Sequence, residues 1–174
     1  MIRKRSIIFL TGAALIALSA LSVAACGGGG ASASVTPPKL ADGQPATLGS
    51  SNSSLGKILV DSAGHTLYLF EKDSGTTSAC TGACASAWPP LRVSGKPKVG
   101  TGINAAQVGT TTRSDGKPQV TYHGHPLYRY QGDQKPGDTN GQGLTAFGGG
   151  WFAVSPAGQA VTSPPSNPSS GNGY

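Results

Sequence analysis

One segment of the chain occurs twice. Gly56 to Asp73 reads GKILVDSAGHTLYLFEKD, and Gly116 to Asp133 reads GKPQVTYHGHPLYRYQGD. The offset is 60 residues with no gap. Eight of eighteen positions are identical: Gly56/Gly116, Lys57/Lys117, Val60/Val120, Gly64/Gly124, His65/His125, Leu67/Leu127, Tyr68/Tyr128 and Asp73/Asp133. Whatever fold the chain adopts must use one small unit two times.

That unit reads as a β-hairpin. Ile58, Leu59 and Val60 form a short β-prone run, Ser62 to His65 a turn with Gly64 free to take a positive φ, and Thr66 to Phe70 the return strand. The second copy repeats this with Gln119 to Tyr122, a turn at His123-Gly124, and Leu127 to Tyr130. Strand period two places Tyr68 with Phe70 on one face and Tyr128 with Tyr130 on the equivalent one, which makes the aromatic face the expected core. Asp73 and Asp133 fall where each strand ends and are expected to cap the loop that follows. His65 and His125 sit at the exits of the two turns.

Between the copies, Cys80 and Cys84 bracket a tight turn, Ala83 to Trp88 has room for a single helical turn, and Pro89-Pro90 stops it. Val108 to Arg113 is β-prone and Asp115-Gly116 is a hairpin signal. A Gly-rich loop follows Asp133, then a strand at Trp151 to Val154 and a short last strand. The expectation is an all-β domain, small and single, of antiparallel hairpins in a meander or barrel-like arrangement over residues 55–161. Residues 26–54 and 162–174 are poor in large apolar side chains and read as a flexible tether and a disordered tail.

The N-terminus gives an address. Arg3, Lys4 and Arg5 precede an apolar stretch from Ile7 to Leu21, and Val23-Ala24-Ala25 supplies small residues before Cys26. Residues 1–25 therefore read as a signal peptide, and the Val-Ala-Ala-Cys junction resembles a lipobox, whose cysteine is acylated. Acylation of Cys26 accounts for one of three cysteines and leaves Cys80 and Cys84 as a pair, which outside the cytoplasm is most simply a disulfide. The expected location is the outer face of the cytoplasmic membrane, with the lipid as anchor. The formal charge of +6 loses three bases with the signal peptide, and the remaining ones are scattered. No basic stripe supports nucleic-acid binding. A cell-wall polymer or another envelope protein is a fitting partner, and the domain is expected to be a monomer.

The pair Tyr68-Leu69-Phe70-Glu71-Lys72-Asp73 and Tyr128-Arg129-Tyr130-Gln131-Gly132-Asp133, with Cys80-x-x-x-Cys84 and Trp88-Pro89-Pro90, resembles a bacterial family of secreted or lipoprotein repeats marked by Tyr-x-(Phe/Trp/Tyr)-x-x-Asp. The resemblance spans essentially all of residues 55–161 and implies an exported, surface-attached domain of unassigned role. It brings no catalytic residues with it.

Candidate chemistry is sparse. Cys80 and Cys84 as a disulfide close a very short loop, worth about 2 kcal/mol in the loop-entropy model. A redox role fits C-x-x-C better than this spacing, and a copper site would need both thiolates plus a histidine. His123 and His125 form a His-x-His at a turn, a weak metal candidate lacking a third ligand. Asp73 and Asp133 recur, but symmetric positions point to symmetric structural work ahead of a two-carboxylate hydrolase. Trp88, Trp151 and Phe152 read as core filling, with glycan or peptide binding as the sharper alternative. The favoured function is a non-enzymatic binding or structural domain with no cofactor. An exported copper or redox protein using Cys80, Cys84, His123 and His125 stands second, and a cell-envelope hydrolase third.

Overall fold

The computed structural model describes residues 46–162. In chain order these hold β1 Thr47–Ser53, β2 Gly56–Asp61, β3 Tyr68–Phe70, α1 Ala83–Ala87, β4 Lys98–Val99, a 3₁₀ turn at Ala105–Gln107, β5 Val108–Thr112, β6 Pro118–Tyr122, β7 His125–Pro126, β8 Leu144–Ala146 and β9 Gly149–Ala153. The domain is all-β apart from the single turn of α1 and the 3₁₀ turn. The Cys26 junction, the stretch up to residue 45 and the tail from residue 163 lie outside the described residues.

Three sheets of three strands form, in the orders β2-β1-β4, β5-β6-β7 and β3-β9-β8. The antiparallel pairs β1–β2 and β5–β6 are the two copies of one hairpin. Leu48-Gly49-Ser50 and Val108-Gly109-Thr110 take equivalent places opposite β2 and β6. β1 lies inside the stretch expected to be tether, so the folded domain starts earlier than residue 55. The polar sequence TLGSSNS hides this strand. It is half exposed, and only Leu48 is fully buried within it. The glycine-rich stretch after Asp133 likewise contains β8 and the start of β9, which pair antiparallel from Leu144↔Trp151 to Ala146↔Gly149.

The ungapped match between the copies conceals a one-residue slip. In the first copy Ser62, Ala63 and Gly64 separate Asp61 from His65, and Asp61 N–H donates to His65 O at 3.0 Å. In the second, only His123 and Gly124 separate the paired residues Tyr122 and His125. His123 at φ 49 and Gly124 at φ 83 give the two positive values of a type I′ turn. The shorter loop leaves one more residue in the strand. Leu67 N–H therefore donates to Leu59 O, whereas Leu127 N–H donates to Val120 O, both at 3.0 Å. Val120 is the counterpart of Leu59, and Val60, identical to it in sequence, belongs to the opposite side of the core.

Those two sides make up the core. Leu48, Leu59, Leu67, Leu69, Leu91, Val93, Val120, Tyr122, Leu127 and Val154 pack as an aliphatic cluster. Ile58, Val60, Tyr68, Phe70, the two cysteines, Trp88, Tyr128, Trp151 and Ala153 pack as an aromatic one. β3 separates them, apolar and buried on both faces. It pairs with β9 through Tyr68↔Ala153, Leu69↔Phe152 and Phe70↔Trp151, and with the second copy through Tyr68↔Tyr128. The two repeats are thus interleaved in one domain.

Candidate functional site

The repeated motif meets itself at the centre of the domain. Tyr68 N–H donates to Tyr128 O at 2.9 Å, and Tyr128 N–H donates to Tyr68 O at 3.0 Å. The phenols continue the exchange. Tyr68 Oη donates to Asp133 Oδ2 at 2.7 Å, and Tyr128 Oη donates to Asp73 Oδ2 at 2.8 Å. Each tyrosine therefore bonds the aspartate of the other copy. The second carboxylate oxygens do the capping expected from sequence: Asp73 Oδ1 accepts from Ala79 N–H at 2.8 Å and Asp133 Oδ1 from Asn140 N–H at 2.9 Å.

Burial shapes the protonation of this centre. Removal from water pushes both phenols far above their ordinary range, and the adjacent carboxylates add to the effect. Asp73 and Asp133 are also raised, again by burial, with hydrogen bonds from the loop amides and the tyrosines working against it.

Four rings stack beside these pairs. Phe70 lies on Trp151 with centroids 4.1 Å apart, Trp151 on Trp88 at 3.9 Å, and Trp88 on Tyr130 at 4.3 Å. Tyr68 meets the edge of Trp88 at 5.4 Å and Tyr128 that of Trp151 at 5.2 Å. The arrangement has a local two-fold character: Trp88 serves the first copy as Trp151 serves the second, each stacked on the second aromatic of the other copy. Sequence spacing gave no sign that the two tryptophans are counterparts. Both are buried, Trp88 at 1% and Trp151 at 0% exposure, so they fill the core.

The cysteine block packs into the aromatic cluster. Cys80 and Cys84 are joined by a disulfide, and both are buried. Arg113 fixes this block from the second copy. Its Nη1 donates to Ser78 Oγ and Gln119 Oε1, both at 2.7 Å, and its Nη2 donates to Cys80 O at 2.5 Å. Ser78 Oγ lies 2.7 Å from Tyr128 Oη, so Arg113, Ser78, Tyr128 and Asp73 form one connected chain. Sequence reasoning passed over Arg113, Ser78 and Gln119, because nothing local distinguishes them from exposed polar residues.

On the aliphatic side a second polar group is enclosed. Asp61 accepts from Ala63 N–H at 2.8 Å and His65 N–H at 3.0 Å, and its other oxygen lies 2.6 Å from Arg129 Nε and 3.3 Å from His65 Nδ1. Burial draws the Arg129 guanidinium down from its ordinary value while the Asp61 charge opposes it. Arg129, one residue from Tyr128 and so on the opposite face of the strand, is thereby accounted for.

The histidine pair is split by its turn. His123 is exposed at the turn tip and packs against Gly158. His125 lines a groove of about 350 Å³ with Leu69, Phe70, Glu71, Asp73, Gln159 and Ala160. Among the described residues no three of His, Cys, Asp and Glu are placed to hold a metal ion. With Cys80 and Cys84 bonded to each other, the two-thiolate copper site considered from sequence has no free thiolates in this form. Asp73 and Asp133 each cap a loop and bond the tyrosine of the other copy, equivalent roles in holding the copies together.

A family model described as a secreted repeat of unknown function matches residues 49–92 and again 109–155. The two matches begin 60 residues apart, each at the glycine of the first strand of its hairpin, and each runs far enough to include one of the stacked tryptophans. No curated protein and no solved structure matches the chain. Among the described residues no helix is long and apolar enough to cross a membrane. With two interleaved copies that together cover more than half of its length, the chain belongs to the family of secreted repeats of unknown function.

Proposed function

We propose that the chain is exported, acylated on Cys26 and held by that lipid at the outer face of the cytoplasmic membrane, where residues 46–162 act as a non-enzymatic binding or structural domain. The observation that carries this reading is the Val23-Ala24-Ala25-Cys26 junction after a basic segment and an apolar run. Membership of a secreted family supports export. The use of every repeated Tyr, aromatic and Asp of the motif in joining the copies supports a structural part for residues that otherwise invite a catalytic reading. A wall polymer or an envelope protein is the fitting partner for a monomeric domain displayed in this way.

Metabolic labelling with an alkynyl fatty acid tests it. The wild-type chain is expected to take up the label and to sediment with membranes, and Cys26→Ala is expected to lose the label. A wild-type chain that carries no label and is recovered free in the medium contradicts the anchored reading.

A further inference from the structure

The tip of the β8–β9 hairpin carries an aromatic side chain where the backbone disfavours one. Phe147 has φ 56 and is 45% exposed. It and Gly148, at φ 85, form a two-residue turn with both φ values positive. Asn, Asp and Gly are the ordinary occupants of the first position of such a turn, because a bulky side chain crowds its own backbone there. Among the described residues one other non-glycine residue has positive φ. It is His123, which packs on Gly158. Phe147, at 45% exposure, leaves much of its ring outside the core, so the fold gains little from this strain. Strain that the fold does not need points outward, to a contact.

The surroundings of the tip say which contact. Leu144, on the same hairpin, is 37% exposed. Lys72 is exposed, with its ammonium 3.2 Å from where a Cβ on Gly148 would stand. The hairpin is firmly mounted, since Trp151 Nε1 donates to Ala146 O at 3.2 Å and Trp151 is part of the central stack. The neighbouring Glu71 carboxylate is turned to the hairpin backbone, accepting from Gly150 N–H at 3.1 Å. An apolar turn tip beside the Lys72 cation matches an interface that is apolar inside and anionic at its surface.

We propose that Phe147, with Leu144 and Lys72, is a membrane-contact finger that inserts between the headgroups of an anionic phospholipid bilayer. Its placement rests on the lipid-anchored reading. The twenty residues from Cys26 to Pro45 span at most about 70 Å when fully extended, which keeps the domain close to the bilayer carrying the anchor.

The test removes the anchor, so that failure of the finger and failure of acylation are read separately. The mature chain from residue 26 with Cys26→Ser is sedimented with vesicles of equal parts phosphatidylglycerol and phosphatidylcholine at low salt. It is expected to partition onto them, with Phe147→Asn lowering the partition coefficient about 10-fold or more, the loss for one buried aromatic side chain. Lys72→Gln is expected to lower it several-fold at low salt and little at high salt. Phe147→Asn is also expected to melt no lower than its parent, because Asn suits the left-handed backbone; lost binding then cannot be ascribed to lost folding. Equal partition of parent and Phe147→Asn, no partition of the parent, or self-association dependent on Phe147 in the absence of vesicles would each overturn the proposal.

Discussion

Tyr68 and Tyr128 exchange both backbone hydrogen bonds, at 2.9 and 3.0 Å, so the two copies of the repeat meet at their shared tyrosine. Everything else at the centre is arranged around that contact. Each phenol reaches past it to the aspartate of the opposite copy, and each tryptophan crosses to stack on the second aromatic of the opposite copy. The motif is the seam between the repeats.

The alkaline limit of stability should be set by these phenols. Their folded pKa values lie above the unfolded value near 10, so their contribution is fully present below about pH 10. Above it the unfolded chain releases two protons that the folded chain keeps. Stability is expected to fall there by up to about 2.7 kcal/mol per pH unit, two protons at about 1.36 kcal/mol each. Denaturant titrations between pH 9 and 11 check this, and Tyr128→Phe should halve the slope.

Acid should act in the direction opposite to that of an ordinary paired carboxylate. Asp73 and Asp133 have folded pKa values raised above 3.8. Their contribution is fully present below about pH 3.8 and is lost as pH rises through the folded values. Across that window, lowering the pH favours the folded state through these two groups. Asp73→Asn and Asp133→Asn are each expected to flatten this acid gain in stability curves measured between pH 3 and 7.

Gly141 supports the stack by lacking a side chain. A Cβ there would stand 2.9 Å from Trp88 Cη2 and Cζ3 and 2.9 Å from Tyr68 Cζ. Gly141→Ala is expected to destabilise the domain by about 1–3 kcal/mol through overpacking and to alter the near-ultraviolet circular dichroism of the stacked indoles. Unchanged spectra and stability would show that the loop moves aside without cost.

Arg113 should matter more than the disulfide it braces. Arg113→Met leaves Cys80 O, Ser78 Oγ and Gln119 Oε1 without this donor and is expected to cost about 2–3 kcal/mol. Replacing Cys80 and Cys84 together by alanine, which adds no buried hydroxyl, opens only a short loop, at about 2 kcal/mol. Urea unfolding of both variants gives the order, and thiol titration of the unfolded domain should find no free sulfhydryl at either cysteine.

The hairpins around Gly64 and Gly124, the helical turn before Pro89 and the buried aromatic face were legible in the sequence, because turn glycines, proline stops and strand alternation are local signals. β1 was not, since a strand of serines and asparagine buries little of itself. The one-residue slip was hidden because Gly, Lys and Val happen to coincide in both copies while the loops differ in length. The exchange between copies was out of reach for a simpler reason. Tyr and Asp have the same spacing in each repeat, and spacing gives no indication of which aspartate a tyrosine will meet.

Double-mutant cycles test that exchange most directly. Tyr68→Phe and Asp133→Asn are combined in one cycle, and Tyr68→Phe and Asp73→Asn in another, with unfolding free energies measured by urea. The cross-copy cycle is expected to give a coupling of about 1 kcal/mol or more, and the same-copy cycle one within about 0.5 kcal/mol of zero. A larger coupling for Tyr68 with Asp73 than with Asp133 would contradict the interlocked arrangement.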